Sequence, residues 1–182
     1  MPTIMTHAAI PLCLGIAMGR NVVPPKIVAA GMVLAILPDA DVLGFAMDIP
    51  YAAEWGHRGA SHSITAAFVV AAVFTALLKP QRSVVAFLFL WIAMASHGLL
   101  DTLTSGGLGA GLWWPWTEER IFAPVRPILV SPIGVEAFLS ERGLAVLASE
   151  VKWVWMPAGV LAMVAGGVRH AYRWQSKPIP PA

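Results

Sequence analysis

The run VVAFLFLWIAMASHGLL, Val84 to Leu100, is bounded by Lys79-Pro80-Gln81-Arg82 before it and by Asp101 after it. It carries no Lys, Arg, Asp or Glu, and its length approaches the roughly 20 residues that take a helix across a bilayer. It is read as a membrane helix whose last turn turns polar, with Ser96, His97 and Asp101. Working outward, Ile64 to Leu78 has the same character, and shorter apolar stretches lie near 7–19, 27–38 and 153–168. Asn21-Val-Val-Pro24-Pro25 separates the first two. The two nearest the N-terminus are about a dozen residues each by the same measure, so they are expected to tilt, to be re-entrant or to pack inside the bundle. The whole chain agrees with this: of 182 residues, 58% are hydrophobic and 12% charged, against roughly 25% charged in soluble domains. Mean hydropathy is +0.71, which excludes disorder. The expected fold is an all-α integral membrane protein, a bundle of about five transmembrane or half-spanning helices forming one membrane-embedded domain over 1–182. An interfacial lobe rich in Gly, Pro and Trp occupies about 102–152.

Charge placement sets the sidedness. If the five stretches alternate in direction, one face collects Arg20, Lys26, Lys79, Arg82, Arg169, Arg173 and Lys177 and no acid. The other collects every Asp and Glu. Cytoplasmic loops are enriched in Lys and Arg, so the acidic face and the N-terminus are expected at the periplasmic or exterior side of a bacterial inner membrane. A first pair of stretches forming a hairpin that never crosses would leave the rest unchanged. Met1 to Thr6 hold no Lys or Arg, so they lack the charged head of a signal peptide. The tail Lys177-Pro-Ile-Pro-Pro-Ala reads as a frayed, polyproline-prone terminus. Cys13 stands alone, so no intramolecular disulfide is possible.

Four of the five histidines fall on the acidic face, at the ends of different helices. His7 heads the first stretch. Asp39 and Asp41 follow Pro38, which is expected to end the second helix and leave both carboxylates exposed at its C-terminus, where the helix dipole disfavours anions and a cation would relieve them. His57 and His62 flank Arg58 in His57-Arg-Gly-Ala-Ser-His62, with Ser61 the expected N-cap of the third helix and His62 in its first turn. His97 and Asp101 are four apart, hence one turn apart on one helix face. Ionisable groups beside apolar spans are costly and default to function. His7, Asp39, Asp41, His57, His62, His97 and Asp101 are therefore candidate ligands of one divalent metal site. Arg58 is the candidate catalytic residue: its fork would hold an anionic oxygen of a substrate beside the metal, unless it pairs with Asp39, Asp48 or Glu54.

The ordered set of His7, Leu-Pro-Asp39-Ala-Asp41, His57-Arg58-Gly59-Ala-Ser61-His62-Ser63 and Ser-His97-x-x-x-Asp101, followed by Thr-x-x-x-Gly and Trp-Pro, resembles the membrane-bound metal-dependent hydrolases of the YdjM-like, LexA-regulated group. The likeness runs from His7 to about Pro115 and implies an inner-membrane hydrolase. A weaker resemblance is to the helical zinc phospholipase C and S1/P1 nuclease group, where an N-terminal His, an Asp, a His and a later His-x-x-x-Asp surround clustered zinc. Here these would be His7, Asp39 or Asp41, His57 or His62, and His97 with Asp101. No histidine lies between Asp101 and His170, so one or two ions are implied rather than three, zinc before manganese, with Asp101 as the bridge and His7 on a second ion.

The remaining features bear on substrate. Gly106 to Gly111 is a flexible or closely packed turn without the spacing of a phosphate loop. Trp113, Trp114, Trp116 and Phe122 form an interfacial aromatic belt or grip an acyl chain at the mouth of the site, and Arg120 and Arg126 could bind a head-group phosphate. Glu150 is a further ligand or base, or a solvated charge at a helix N-terminus. The partners expected are the bilayer and a lipid or phosphorylated small molecule. Nucleic acid is not expected, since a net charge of +2 carries no such signal. The function expected is cleavage of a phosphoester by metal-activated water. The alternative is a non-enzymatic transporter or metal-stabilised scaffold, although the five stretches lack the paired broken segments of transporter repeats.

Overall fold

The computed structural model describes residues 1–132 and 135–175. The prolyl tail from Lys177 lies outside them, as does the side chain of Arg173. The helices are α1 (Ile4–Met18), α2 (Pro25–Ile36), α3 (Ile64–Leu78), α4 (Ser83–Thr102), α5 (Val135–Phe138), α6 (Glu141–Glu150) and α7 (Met156–Gln175). Among the described residues there is no sheet, only single bridges between Thr104 and Ile128 and between Ala110 and Ile121. The all-α membrane architecture is as the composition requires. Among the described residues, three helical segments are long and apolar enough to cross a bilayer: Pro25–Met47, Ser83–Thr102 and Glu141–Tyr172.

Two of these spans differ from the sequence expectation. The α-helix stops just before Pro38, at Ile36, but the chain does not leave helical geometry there: proline is tolerated where a new helical turn begins, and the chain tightens into a 3₁₀ helix over Leu37–Met47. The last span starts inside the expected lobe, since α6 runs through a π-turn at Val151–Trp155 into α7. A π-turn is not written in hydropathy.

Helix ends alternate as the charge pattern demands. Glycine, with no Cβ penalty, ends α1 at Gly19 (φ +78°), and the Arg169 guanidinium of α7 donates to the Ile16 and Ala17 carbonyls left open there. Arg20, Arg82 and Arg169 line one cleft at that end. His7, Asp39, His62 and Asp101 meet at the other. Between them, Ile27 and Leu34 of α2, Ala67 and Ala71 of α3 and Phe89, Leu90 and Met94 of α4 form the dry core. Small residues permit this closeness, since a Cβ on Gly31 would stand 2.6 Å from the Phe89 ring, the packing rule of membrane helices. Outward, Val69, Val73, Leu77, Leu161, Val164 and Val168 are exposed, a surface suited to hydrocarbon rather than water.

Candidate metal centre

Four elements deliver the site. α1 carries His7 in its second turn, the 3₁₀ continuation of α2 carries Asp39 and Asp41, the loop before α3 carries His57 to His62, and the last turns of α4 carry His97 and Asp101. The third helix is capped by Ser63, whose Oγ accepts from the Ala66 N–H, and not by Ser61. His62 consequently lies in a separate 3₁₀ turn, Ala60–His62. Ser61 is freed to donate to Asp41 at 2.7 Å.

At the centre, the Nε2 atoms of His62 and His97 are 3.0 Å apart. Asp39 Oδ1 lies 3.2 Å from His97 Nε2 and 3.8 Å from His62 Nε2. Asp101 Oδ2 lies 3.3 Å from His62 Nε2 and 3.9 Å from His97 Nε2. One ligand atom from each of Asp39, His62, His97 and Asp101 falls within 4.8 Å of all the others. His7 stacks on His97 with ring centroids 3.7 Å apart, and its Nε2 is 3.9 Å from Asp101 Oδ1.

The outer contacts decide which nitrogens face inward. His97 Nδ1 donates to the Ala35 carbonyl at 2.6 Å, and His62 Nδ1 faces Asp41 Oδ2 at 3.2 Å. With Nδ1 protonated, each ring turns an Nε2 lone pair toward the same point, an arrangement that a proton shared between them or a bound cation relieves. Tetrahedral zinc holds two imidazole nitrogens about 3.3 Å apart, close to the spacing seen. Among the described residues, every buried side-chain polar atom without a hydrogen-bond partner belongs to this centre: both nitrogens of His7, both oxygens of Asp39 and of Asp101, and Arg58 Nε. Native proteins pair such atoms. A divalent cation held there would give the Asp39 and Asp101 carboxylates their missing partner. The electrostatics agree: burial disfavours a charged His62, but Asp101, Asp39 and Asp41 outweigh it and raise its pKa well above the ordinary value. The cluster calls for positive charge at that point.

Asp41 and His57 stand one layer out. Asp41 accepts from His57 Nδ1 at 2.6 Å, from the Arg58 N–H at 3.1 Å and from Ser61. With His62 they form a second group close enough to hold an ion, yet both Asp41 oxygens already have donors. Neither Asp39 nor Asp41 is solvent-exposed as a helix-end carboxylate: Asp39 is buried.

Arg58 is 1% exposed and pairs with none of Asp39, Asp48 and Glu54. Its Nε lies 3.2 Å from Asp101 Oδ2, and its Nη1 donates to Thr104 Oγ1 at 3.1 Å and to the Gly106 carbonyl at 3.0 Å. The fork expected to await a substrate is thus engaged inside the fold. Of the two alternatives for the Gly106–Gly111 turn, the close-packed one is found. At Gly107 (φ +91°) a Cβ would meet Arg58 Nη1 at 2.8 Å and the Tyr51 hydroxyl at 2.9 Å. Arg120 points to protein, donating to the His57 and Ala53 carbonyls, and Arg126 sits over the Phe122 ring. Trp113 and Trp116 are exposed, whereas the Trp114 indole donates to Glu54. Glu150 is neither solvated nor at a helix N-terminus: it ends α6, fully buried.

Sequence reading missed Thr104, Gly98 and the Thr3–Thr6 pair. Only Gly98 left a trace, as a small residue beside His97. A Cβ there would stand 2.3 Å from the His62 carbonyl, so Gly98→Ala must push His62 off His97. The expected outcome is a loss of about 1–3 kcal/mol, read as a lower melting temperature in detergent together with weaker metal retention.

The chain as a whole has counterparts. The family model described as YdjM inner membrane protein matches residues 1–174. The chain belongs to the YdjM inner membrane protein family. Inner membrane protein YbcI of Escherichia coli (strain K12) is 45% identical over 166 residues, 90% of this chain and 95% of that protein. No solved structure matches, and the resemblance of this YdjM-family chain to the zinc phospholipase group finds no support in these comparisons.

Proposed function

We propose that this YdjM-family chain is a metal-dependent hydrolase of the inner membrane, with one divalent ion, zinc in preference, held by Asp39, His62, His97 and Asp101. The observation that carries the reading is that, among the described residues, every unpartnered buried side-chain polar atom belongs to this centre or to the His7 and Arg58 side chains against it. Two imidazoles and two carboxylates suit zinc, and manganese next. A bound ion supplies an activated water and neutralises charge on a phosphoryl oxygen. The chain's own residues do the rest. Asp41 and the Ala35 carbonyl fix the two imidazoles, Arg58 orients Asp101, and His7, with Nε2 3.9 Å from Asp101 Oδ1, would be the residue to hold a second ion. The substrate class is a phosphoester of a lipid or other membrane-proximal molecule, in keeping with the exposed Trp113 and Trp116 near the site. The test is an assay of the zinc- or manganese-loaded protein on phospholipids, isoprenoid phosphates and chromogenic phosphoesters, with carboxyl esters and amides as controls. Activity on the phosphoesters supports the reading; activity confined to the controls removes it.

One observation favours a second reading, a metal-stabilised scaffold. His7, His62, His97 and Asp101 are all 2% exposed or less, and closed four-ligand sites are the structural kind. Full metal occupancy with no activity on any panel member selects it.

We place the site on the periplasmic side because Arg20, Arg82 and Arg169 gather at the opposite end. In a Cys13→Ala background, Met47→Cys is expected to react with an impermeant thiol reagent added to intact spheroplasts and Gln81→Cys to be spared. The reverse pattern inverts the topology.

A further inference from the structure

The histidines of the centre are not restrained alike. His57, His62 and His97 each have a ring Nδ1 on an acceptor. His7 has neither nitrogen bonded, and Pro11, four residues on, has no N–H to offer the His7 carbonyl. Its place is set by stacking on His97 and by the backbone on its N-terminal side, where the His7 and Thr6 N–H groups both bond the Thr3 carbonyl. Thr3 is thus the anchor of His7.

Thr3 is itself held by Glu150, 147 residues away. Glu150 Oε1 accepts the Thr3 N–H at 2.6 Å, and Oε2 accepts the Thr3 and Thr6 hydroxyls, each at 2.6 Å. The Trp155 indole N–H completes the group by donating to Thr6 Oγ1 at 2.7 Å. Residues five apart on an α-helix point about 140° apart, so Glu150 and Trp155 could not both face Thr6. The π-turn over Val151–Trp155 winds more slowly, bringing residues five apart nearly into line, and π-turns gather at functional sites. The turn is the device that puts both side chains on one hydroxyl.

We propose that Glu150 and Trp155 form a clamp on Thr3 and Thr6 that positions His7 against the metal centre, so that Glu150 is a positioning residue for metal binding rather than a ligand or base. This rests on the metal reading above. It also gives the last helix, which contributes no ligand, a hold on the centre.

The test is a double-mutant cycle on the full-length protein in detergent, reading zinc affinity by competition and the visible ligand-field spectrum of the cobalt(II) form. Glu150→Gln, which replaces one of the two carboxylate acceptors by an amide donor, is expected to weaken binding about 10–100-fold, as loss of an outer support does, and to shift the cobalt spectrum. His7→Ala should do the same. The two combined should be no worse than His7→Ala alone, because Glu150 acts through His7. If Glu150→Gln fails to fold, Thr6→Val carries the test: it keeps the shape and loses the hydroxyl, and Thr6→Ser should restore both affinity and spectrum. Additive losses in the double variant, or Ser no better than Val, overturn the clamp and leave a packing role. Wild-type binding with Glu150→Gln unchanged overturns the clamp alone. A wild type that binds neither zinc nor cobalt overturns the metal reading and the clamp together.

Discussion

His62→Ala and Asp101→Ala are each expected to reduce bound metal from about one equivalent to background while the protein still inserts in the membrane. Each removes one of four inward-facing ligand atoms, and retention of a buried ion depends on the number and identity of its ligands. His62 Nε2 stands 3.0 Å from His97, 3.3 Å from Asp101 and 3.8 Å from Asp39. Asp48→Asn serves as the control: it is an exposed acid on the same side that keeps a side chain tolerant of its positive φ. Elemental analysis of the three variants checks this. Normal metal in both ligand variants would remove His62 and Asp101 from the coordination shell, and metal missing from the wild type in native and reconstituted samples would remove the centre itself.

Arg58→Met is expected to lower stability by about 3–5 kcal/mol, the effect of leaving one member of a buried ion pair alone. The partner left behind is Asp101, fully buried with both oxygens otherwise unpartnered. The guanidinium also ties α4 to the glycine turn through Thr104 and the Gly106 carbonyl, so thermal melting in detergent should fall sharply and the metal be held less firmly. Arg58→Lys separates charge from geometry. A lysine keeps the positive charge but offers one nitrogen where the fork supplied two, so it is expected to retain the metal and, on the hydrolase reading proposed above, to lose most activity on phosphoesters. An Arg58→Lys protein with full activity would leave Arg58 only the work of neutralising Asp101.

These expectations rest on residues that the sequence did and did not expose. His7, Asp39, His62, His97 and Asp101 were legible because an ionisable side chain beside an apolar span is expensive and stands out against it. The sign of the basic asymmetry was legible for the same reason, and Arg20, Arg82 and Arg169 meet at one end as alternation requires. The role of Arg58 was not. Its positive φ and the turn of Gly107 aim it at Asp101, and nothing in the spacing of His57-Arg-Gly-Ala-Ser-His62 distinguishes a fork aimed at a carboxylate in the fold from one aimed at a substrate.

What the sequence alone determined was a medium and a list: a chain too apolar for water, cut into alternating segments, with metal-ligating side chains left at one end. Hydropathy and charge act locally, so they can be summed along a chain without knowing its path. What only the tertiary structure decided was assignment within the list. Asp39 and Asp41 are two residues apart, yet one faces His62 and His97 while the other accepts from His57, Arg58 and Ser61, because a 3₁₀ helix continues past Pro38 where the sequence suggested an end. Glu150 meets Thr3 across 147 residues through a π-turn that no local pattern announces. Hydrogen-bond partners and helix pitch depend on which segments pack together, and that contact information exists only once the helices are assembled.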